Sequence, residues 1–351
     1  MSIGATLDRS SVMLVVGSGG VGKTTTAAAL AIKAAHSGRK AVVVTVDPAK
    51  RLADALGMPG GLTAEPQQID LEAPGELWAL MLDPRTTFER LIARESAHDD
   101  LTNEIKNNRV YGNLADGLSG TQEYLATEEL YSLHQDHRFD LVIVDTPPSR
   151  HVLDIVDAPN RLVTLFDNRV YRLLTGRGSN ATRLVGKAAQ RMVRTVAGVV
   201  GADVVQDAID FFNVFESLEG GFRERAVAVN ELLTSPEASV VIVAGPRPDV
   251  VVTACDLIDA LQRRSMPPDA AIINLLHPDP LASLADERAD RSADAAAVRL
   301  HQRATSELAA SQPLVAALGE VPVVRISSLP DDIHDADGLS HIVACLADDD
   351  D

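Results

Sequence analysis

Apolar and polar positions recur in a regular order along most of the chain. Runs rich in Val, Ile and Leu stand at 12–17, 41–47, 77–83, 139–145, 239–245, 270–276 and 321–327. Each has strand length and is nearly continuous in apolar residues, the pattern of strands covered on both faces. Helical stretches lie between them: an Ala-rich one at 23–37, stopping near Gly38, and others at 250–264 and 281–311. Strand, helix and strand follow one another within residues 12–47, which predicts a βαβ unit and a parallel sheet. The expected fold class is α/β, with a doubly wound, mostly parallel sheet.

Two segments break this alternation. Residues 86–135 and 149–233 read as helical, without a clear strand, and are too long for ordinary crossovers. They are expected to be insertions that form a helical subdomain at one edge of the sheet. The chain 1–351 is otherwise expected to be a single domain.

Composition narrows the choice of partners. The formal net charge is −18 and aromatics make up only 3%. Neither suits nucleic acid, which calls for a basic surface or stacking platforms, so no nucleic-acid partner is expected. No apolar run approaches the roughly 20 residues that span a bilayer. Residues 1–11 lack the charged start and apolar core of a signal peptide, so a cytoplasmic location is expected. Cys255 and Cys345 are expected to be buried, inert thiols in helices. The acidic run at 348–351 reads as a solvated tail.

The strongest local signal is Gly-x4-Gly-Lys-Thr over Gly17-Ser18-Gly19-Gly20-Val21-Gly22-Lys23-Thr24, after a strand and opening a helix. This is the context a P-loop requires. Its glycines let backbone N–H groups turn around phosphate oxygens, and the helix N-terminus favours negative charge. Lys23 is expected to meet the β- and γ-phosphates of ATP, and the Thr24 hydroxyl to ligate Mg²⁺. Asp145 closes an apolar strand and precedes Thr146-Pro147-Pro148, where a second acidic anchor for Mg²⁺ is expected. Asp47 closes the run before Pro48-Ala49-Lys50-Arg51 and is a candidate to orient the attacking water.

The glycine loop with its doubled Gly19-Gly20, Asp47-Pro48-Ala49 and Asp145-Thr146-Pro147-Pro148, in this order, resemble one family. It is the arsenite-pump ATPase and tail-anchored-protein targeting factor family, within the deviant P-loop class. Gly120-Thr121-Gln122-Glu123 is similar to a lesser landmark of that family. The resemblance implies an ATPase that works as a dimeric switch, with the insertions as its client domain. It implies that Asp47 polarises water and that Asp145 sits beside Mg²⁺. It also implies that Thr25 touches the α-phosphate, that Asn274 reads the adenine edge, and that Leu329 and Pro330 flank the adenine. Asn274 also reads as a plain strand-end cap.

The chain departs from the family pattern in three ways. Ser18 stands where the family carries a signature lysine that crosses to the other subunit's nucleotide. Arg51 stands where targeting factors have Asn, and the cysteines match neither a metalloid site nor a dimer zinc site. Arsenite needs clustered thiolates, and two distant cysteines cannot supply them. The expected assembly is a homodimer, or a heterodimer with a related ATPase that carries the lysine. A hydrophobic client or membrane protein is the expected cargo, with an anion-transport subunit or a partitioning or septum-site regulator as alternatives. Arg183, Lys187, Arg191 and Arg194 recur at helical spacing opposite apolar residues. Such a helix suits an anionic membrane surface, an apolar client or an ordinary bundle core, and peripheral membrane contact stays open.

Overall fold

Strand β1 (Val12–Gly17) is wholly buried and lies inside an eight-stranded sheet. The computed structural model describes residues 2–47, 49, 51–95, 121–167, 219–281, 295–329 and 336–347. The other strands are β2 (Lys40–Thr45), β3 (Gln67–Ile69), β4 (Glu76–Met81), β5 (Leu141–Asp145), β6 (Ala238–Ala244), β7 (Ala270–Leu276) and β8 (Val323–Ser327). Their order across the sheet is β3-β4-β2-β5-β1-β6-β7-β8. All pairings are parallel except β3 with β4. From β1 the chain winds first towards β2 and later towards β6 and β7. The carboxyl end of β1 is therefore a topological switch point, where open α/β sheets bind ligands.

Helix α1 (Ile3–Arg9) precedes β1; the Ser2 hydroxyl caps it by accepting from the Ala5 amide at 3.2 Å. Helix α2 (Lys23–His36) follows β1 and buries ten of its residues, six of them alanine. Alanine gives high helix propensity and lets the helix lie close against the sheet. Lys33 and His36 in its last turn suit the negative end of the helix dipole. Gly38, at φ 88°, takes the chain out of the helix into β2. Helix α3 (Arg51–Ala55) packs on α2, as does the helix Ala336–Ala347. The helices Pro248–Gln262 and Ala295–Leu318 pack against each other beside β6 and β7. Met13, Val15, Val43, Ile143, Val241 and Ile272 join α2 in one core with Leu339, Ile342 and Leu346.

The chain divides into two units: residues 1–82, 132–153 and 232–351 form one, and 83–131 with 154–231 form the other. In the second unit, Phe222 stacks on Tyr124 at 6.3 Å and meets Phe88 edge-on at 6.5 Å. Buried carboxylates there have partners. The Thr87 hydroxyl donates to Glu129 at 2.6 Å, and Arg225 Nε donates to Glu128 at 2.8 Å. The amphipathic segment 183–194 and Gly120 lie outside the described residues.

Several boundaries differ from the reading of the sequence. The run expected as a strand over 41–47 is paired only to Thr45, so Asp47 lies two residues past the strand, on a loop. The last long helix runs beyond 311, through Pro313, because Leu314 and Leu318 continue its buried side. Cys255 and Cys345 are half-buried thiols outside any disulfide, rather than fully buried ones. Among the described residues no helix is long and apolar enough to cross a membrane.

Candidate functional site

The site grows from the carboxyl ends of three neighbouring strands. In the parallel register Asp145 of β5 stands beside both Val15 of β1 and Thr45 of β2. At Gly17 the chain leaves β1 so close to β6 that a Cβ there would lie 2.0 Å from the Val243 carbonyl oxygen. Only glycine fits. The loop then runs to Gly22, which starts α2 at φ 88° and offers no side-chain cap. The first-turn amides of α2 thus keep their donors for a ligand, and no acidic residue stands in that turn to repel an anion.

A cavity of ≈ 390 Å³ opens at this point. Its volume suits a small-molecule ligand. Gly19, Gly20, Gly22, Lys23, Thr24 and Thr25 line one side. Asp47, Arg51, Asp54, Asp145 and the Thr146-Pro147-Pro148 turn line the other. The Lys23 ammonium donates to the Ser18 carbonyl at 2.9 Å. Burial lowers the Lys23 pKa; Asp145 and Asp47 act against this, and Arg51 adds to it. Thr24 donates to Asp145 Oδ2 at 2.8 Å, and Thr45 donates to the same oxygen at 2.9 Å. Burial is also the main cause that raises the Asp145 pKa, against those two hydrogen bonds and the charge of Lys23.

Asp47 is held on its loop by two contacts. Its amide donates to the Thr45 hydroxyl at 3.2 Å, and its Oδ1 accepts from the Ala49 amide at 3.0 Å. Oδ2 faces Arg51 Nη1 at 3.8 Å. Asp47 and Asp145 are therefore linked through one hydroxyl, that of Thr45. Strand register is the signal for Thr45, since it is the residue opposite Asp145 at the end of β2. Reading the sequence had not singled it out.

The residues expected at the site do not all face the cavity. Val21 is buried under the loop and Gly17 lies at its root. Asn274 is only 5% exposed and does not line the cavity; its Nδ2 donates to the Val21 carbonyl at 3.0 Å. Leu329 is half-buried, and Pro330 lies outside the described residues. Lys50 and Pro48 lie outside them as well.

The donor set suits a magnesium ion. Asp145 Oδ1 is buried without a hydrogen-bond partner among the described residues, next to the Thr24 hydroxyl on Oδ2. Hard oxygen donors at the mouth of a phosphate cradle are what Mg²⁺ takes. Sheet order, glycine loop, lysine and threonine–aspartate pair together define the P-loop class of nucleotide-binding folds.

Within that class the relationship is specific. Residues 10–302 match the family of anion-transporting ATPases, and the chain belongs to that family. The chain is similar to "ATPase get3" of Schizosaccharomyces japonicus, with 27% identity over 66% of this chain and 63% of that protein. A second protein of that name, from Schizosaccharomyces pombe, is 26% identical over 66% and 62%. "ATPase ASNA1 homolog 2" of Paramecium tetraurelia is 31% identical over 42% of this chain and 44% of its own length. In each case the matched region spans less than two thirds of the relative.

Proposed function

We propose that the chain binds ATP with Mg²⁺ in this cavity and hydrolyses it to ADP and phosphate. The turnover drives a dimeric switch that engages a hydrophobic client segment or a membrane protein. One observation carries the reading: Lys23, Thr24, Asp47 and Asp145 converge on a single cavity at the uncapped start of α2. Phosphoryl transfer asks a protein mainly for positioning and charge compensation. Lys23 supplies charge at the β- and γ-phosphates, exchanging its bond to the Ser18 carbonyl for phosphate oxygens. The backbone amides from Gly19 to Thr25 cradle the chain of phosphates. Thr24 and Asp145 would hold Mg²⁺, which would supply positive charge to offset the charge that builds during transfer.

Asp47 acts on the water. Its Oδ1 is committed to the Ala49 amide, which fixes the carboxylate plane and leaves Oδ2 to accept a hydrogen bond from the nucleophile. That water's oxygen forms the new bond to the γ-phosphorus as the bridging bond to ADP breaks. Thr45 keeps Asp47 in step with Asp145 through its shared hydroxyl.

Ser18 lacks the charge that a lysine would bring to a second nucleotide, so the assembly is either a homodimer that turns over slowly or a heterodimer with a related ATPase that carries the lysine. The unit formed by 83–131 and 154–231 is the client- or partner-binding subdomain. A cytoplasmic location, with peripheral contact at a membrane, fits this role. The net charge of −18 supports protein rather than nucleic-acid partners. Metalloid transport is disfavoured, since two cysteines on separate helices cannot make a three-thiolate site.

The test is ATP hydrolysis by the purified chain, alone and with a related lysine-bearing ATPase, beside Lys23→Ala and Thr24→Ala. Both variants should lose turnover while circular dichroism stays that of wild type. Turnover near wild type in Lys23→Ala would overturn the site. Activity unchanged by any such partner would decide for the homodimer.

A further inference from the structure

We infer that Asn274 is a positioning residue that braces the phosphate loop from behind, and that the irregular end of β7 exists to present it. This rests on the proposed nucleotide site, but its geometry stands apart from the identity of the base. Asn274 Nδ2 donates to the Val21 carbonyl at 3.0 Å and is buried there. A trans peptide points its carbonyl and the following N–H in opposite directions. Holding the Val21 carbonyl towards Asn274 therefore turns the Gly22 N–H away from Asn274. Gly22 lines the cavity, whereas Val21 and Asn274 do not, so this amide is aimed at the ligand side.

The contact is close enough to select its own residues. A Cβ on Gly22 would lie 2.3 Å from Asn274 Nδ2, so the amide occupies the space that any other residue at 22 would need. Gly22 also has φ 88°, which alone favours glycine. The brace and the left-handed turn that opens α2 are thus one packed unit.

The strand end is built around the same residue. The β7–β8 register shifts between Ile273 and Leu276, and Leu275 within it has φ 62°. A leucine in that region is strained, because its Cβ crowds the following carbonyl oxygen. Such an outlier persists only where its surroundings hold it. Here Leu275 is 42% exposed, so the packing of its own side chain does not hold it. What holds it is the pair of anchors on either side: Asn274 on the Val21 carbonyl, and Leu276 O accepting from the Ser328 amide at 2.7 Å. The bulge lets β7 rejoin β8 after Asn274 has reached across to the loop.

A brace and a base-reading contact predict different selectivities. The brace acts on the phosphate cradle, so its loss weakens every ligand that uses the cradle. A contact to the adenine edge acts on ATP alone. The experiment compares wild type and Asn274→Ala in the full-length chain, with Mg²⁺. It measures affinity for ATP, GTP and inorganic tripolyphosphate, and amide hydrogen exchange of the ligand-free protein. The expected result is a loss of roughly tenfold for all three ligands, the scale of one buried hydrogen bond whose acceptor is left unpaired. Faster exchange should be confined to the loop at 18–24. A loss for ATP only, with tripolyphosphate unchanged, would overturn the brace in favour of base reading. Exchange that rises across the whole sheet, or nowhere, would overturn it as well. If wild type binds no phosphate ligand, the proposed nucleotide site fails, and the exchange pattern still decides the brace.

Discussion

Asp145→Asn should make the ligand-free protein more stable while it removes function. Asp145 Oδ2 is satisfied by the Thr24 and Thr45 hydroxyls at 2.8 and 2.9 Å, but Oδ1 is buried without a partner among the described residues. A buried, unpaired polar atom costs about 1–3 kcal/mol, and more when it carries charge. Asparagine has the same shape, and its oxygen can keep both hydroxyl bonds. Its amide group leaves donors unpaired, which offsets part of the gain. Loss of the attraction to Lys23 offsets another part. The raised pKa of Asp145 is already the net result of burial against Lys23 and the two hydroxyls, and it points to a charge the fold does not favour. A net gain of about 1 kcal/mol follows, or a rise in Tm of about 2–4 °C on the scale of a mid-sized domain.

The sign with pH is fixed by linkage. A carboxyl whose folded pKa lies above its unfolded value of about 3.9 binds more protons when folded. Its stability is fully present below that unfolded value and is lost as pH rises through the folded one. The advantage of Asp145→Asn should therefore be small in acid and grow as pH rises through the folded pKa. Thermal unfolding is the assay, in EDTA for the ligand-free protein and with Mg²⁺ and ATP instead of EDTA for the complex. At 100 times Kd the ligand should add about 2.7 kcal/mol to wild type, and far less to the variant. A variant less stable than wild type at neutral pH, yet equally stabilised by Mg²⁺ and ATP, would refute the reasoning and leave Asp145 a plain structural acceptor.

Asp47→Asn should retain affinity for ATP with Mg²⁺ and lose about 10²-fold in turnover, the scale for a lost acid–base group; equal losses in both would count against its role on the water. Arg51→Ala removes a cation from the cavity wall, and turnover of the chain without a partner should fall about tenfold, short of the 10³ or more of an inserted arginine finger. Antimonite should not stimulate hydrolysis, and stimulation that vanished in Cys255→Ser or Cys345→Ser would reinstate the metalloid reading. Burial first, then Asp256 and Asp259, raise the Cys255 thiol above its usual range. In a Cys345→Ser background, alkylation should therefore be slower than for free cysteine near neutral pH and climb steeply in alkali.

The legible parts of the fold were those in which one physical signal acts alone. Apolar runs placed β1, β2, β4, β5, β6, β7 and β8 within about two residues, most cleanly for β1, β5 and β6, which are buried on both faces. The edge strand β3, Gln67-Gln68-Ile69, has no apolar run, because antiparallel pairing to β4 alone makes it a strand. Helix α1 was missed although Ser2, Ile3, Thr6 and Leu7 carry a cap and an i, i+3, i+4 buried stripe. The loop glycines, Lys23 and Thr24 were legible because the motif is local. Thr45 was not, since its bond to Asp145 exists only once β2 and β5 lie side by side. Nor was the amide of Asn274 on Val21, which joins residues far apart in the chain.

The two buried charges of the site also bear on how nucleotide could drive a switch. Burial pushes Lys23 and Asp145 in opposite directions, each towards its neutral form. Their mutual attraction opposes this for both, and it does not prevail for either. Phosphate oxygens would compensate the lysine, and a divalent cation the aspartate, so the complete ligand suits both groups while either part alone suits one. Metal and triphosphate are then expected to bind with positive coupling. A ligand shifts a conformational equilibrium only by its differential affinity for the two states. Thr45 ties Asp145 to the Asp47 loop, and loss of the γ-phosphate changes the charge on both sides of that tie. Asp47 and Ala49 are half-buried and Arg51 is exposed, so this wall of the cavity can respond at small cost. On the proposed function, hydrolysis would be linked to movement through the same carboxylates that would perform it, and a substitution at Thr45 should uncouple the two without emptying the site.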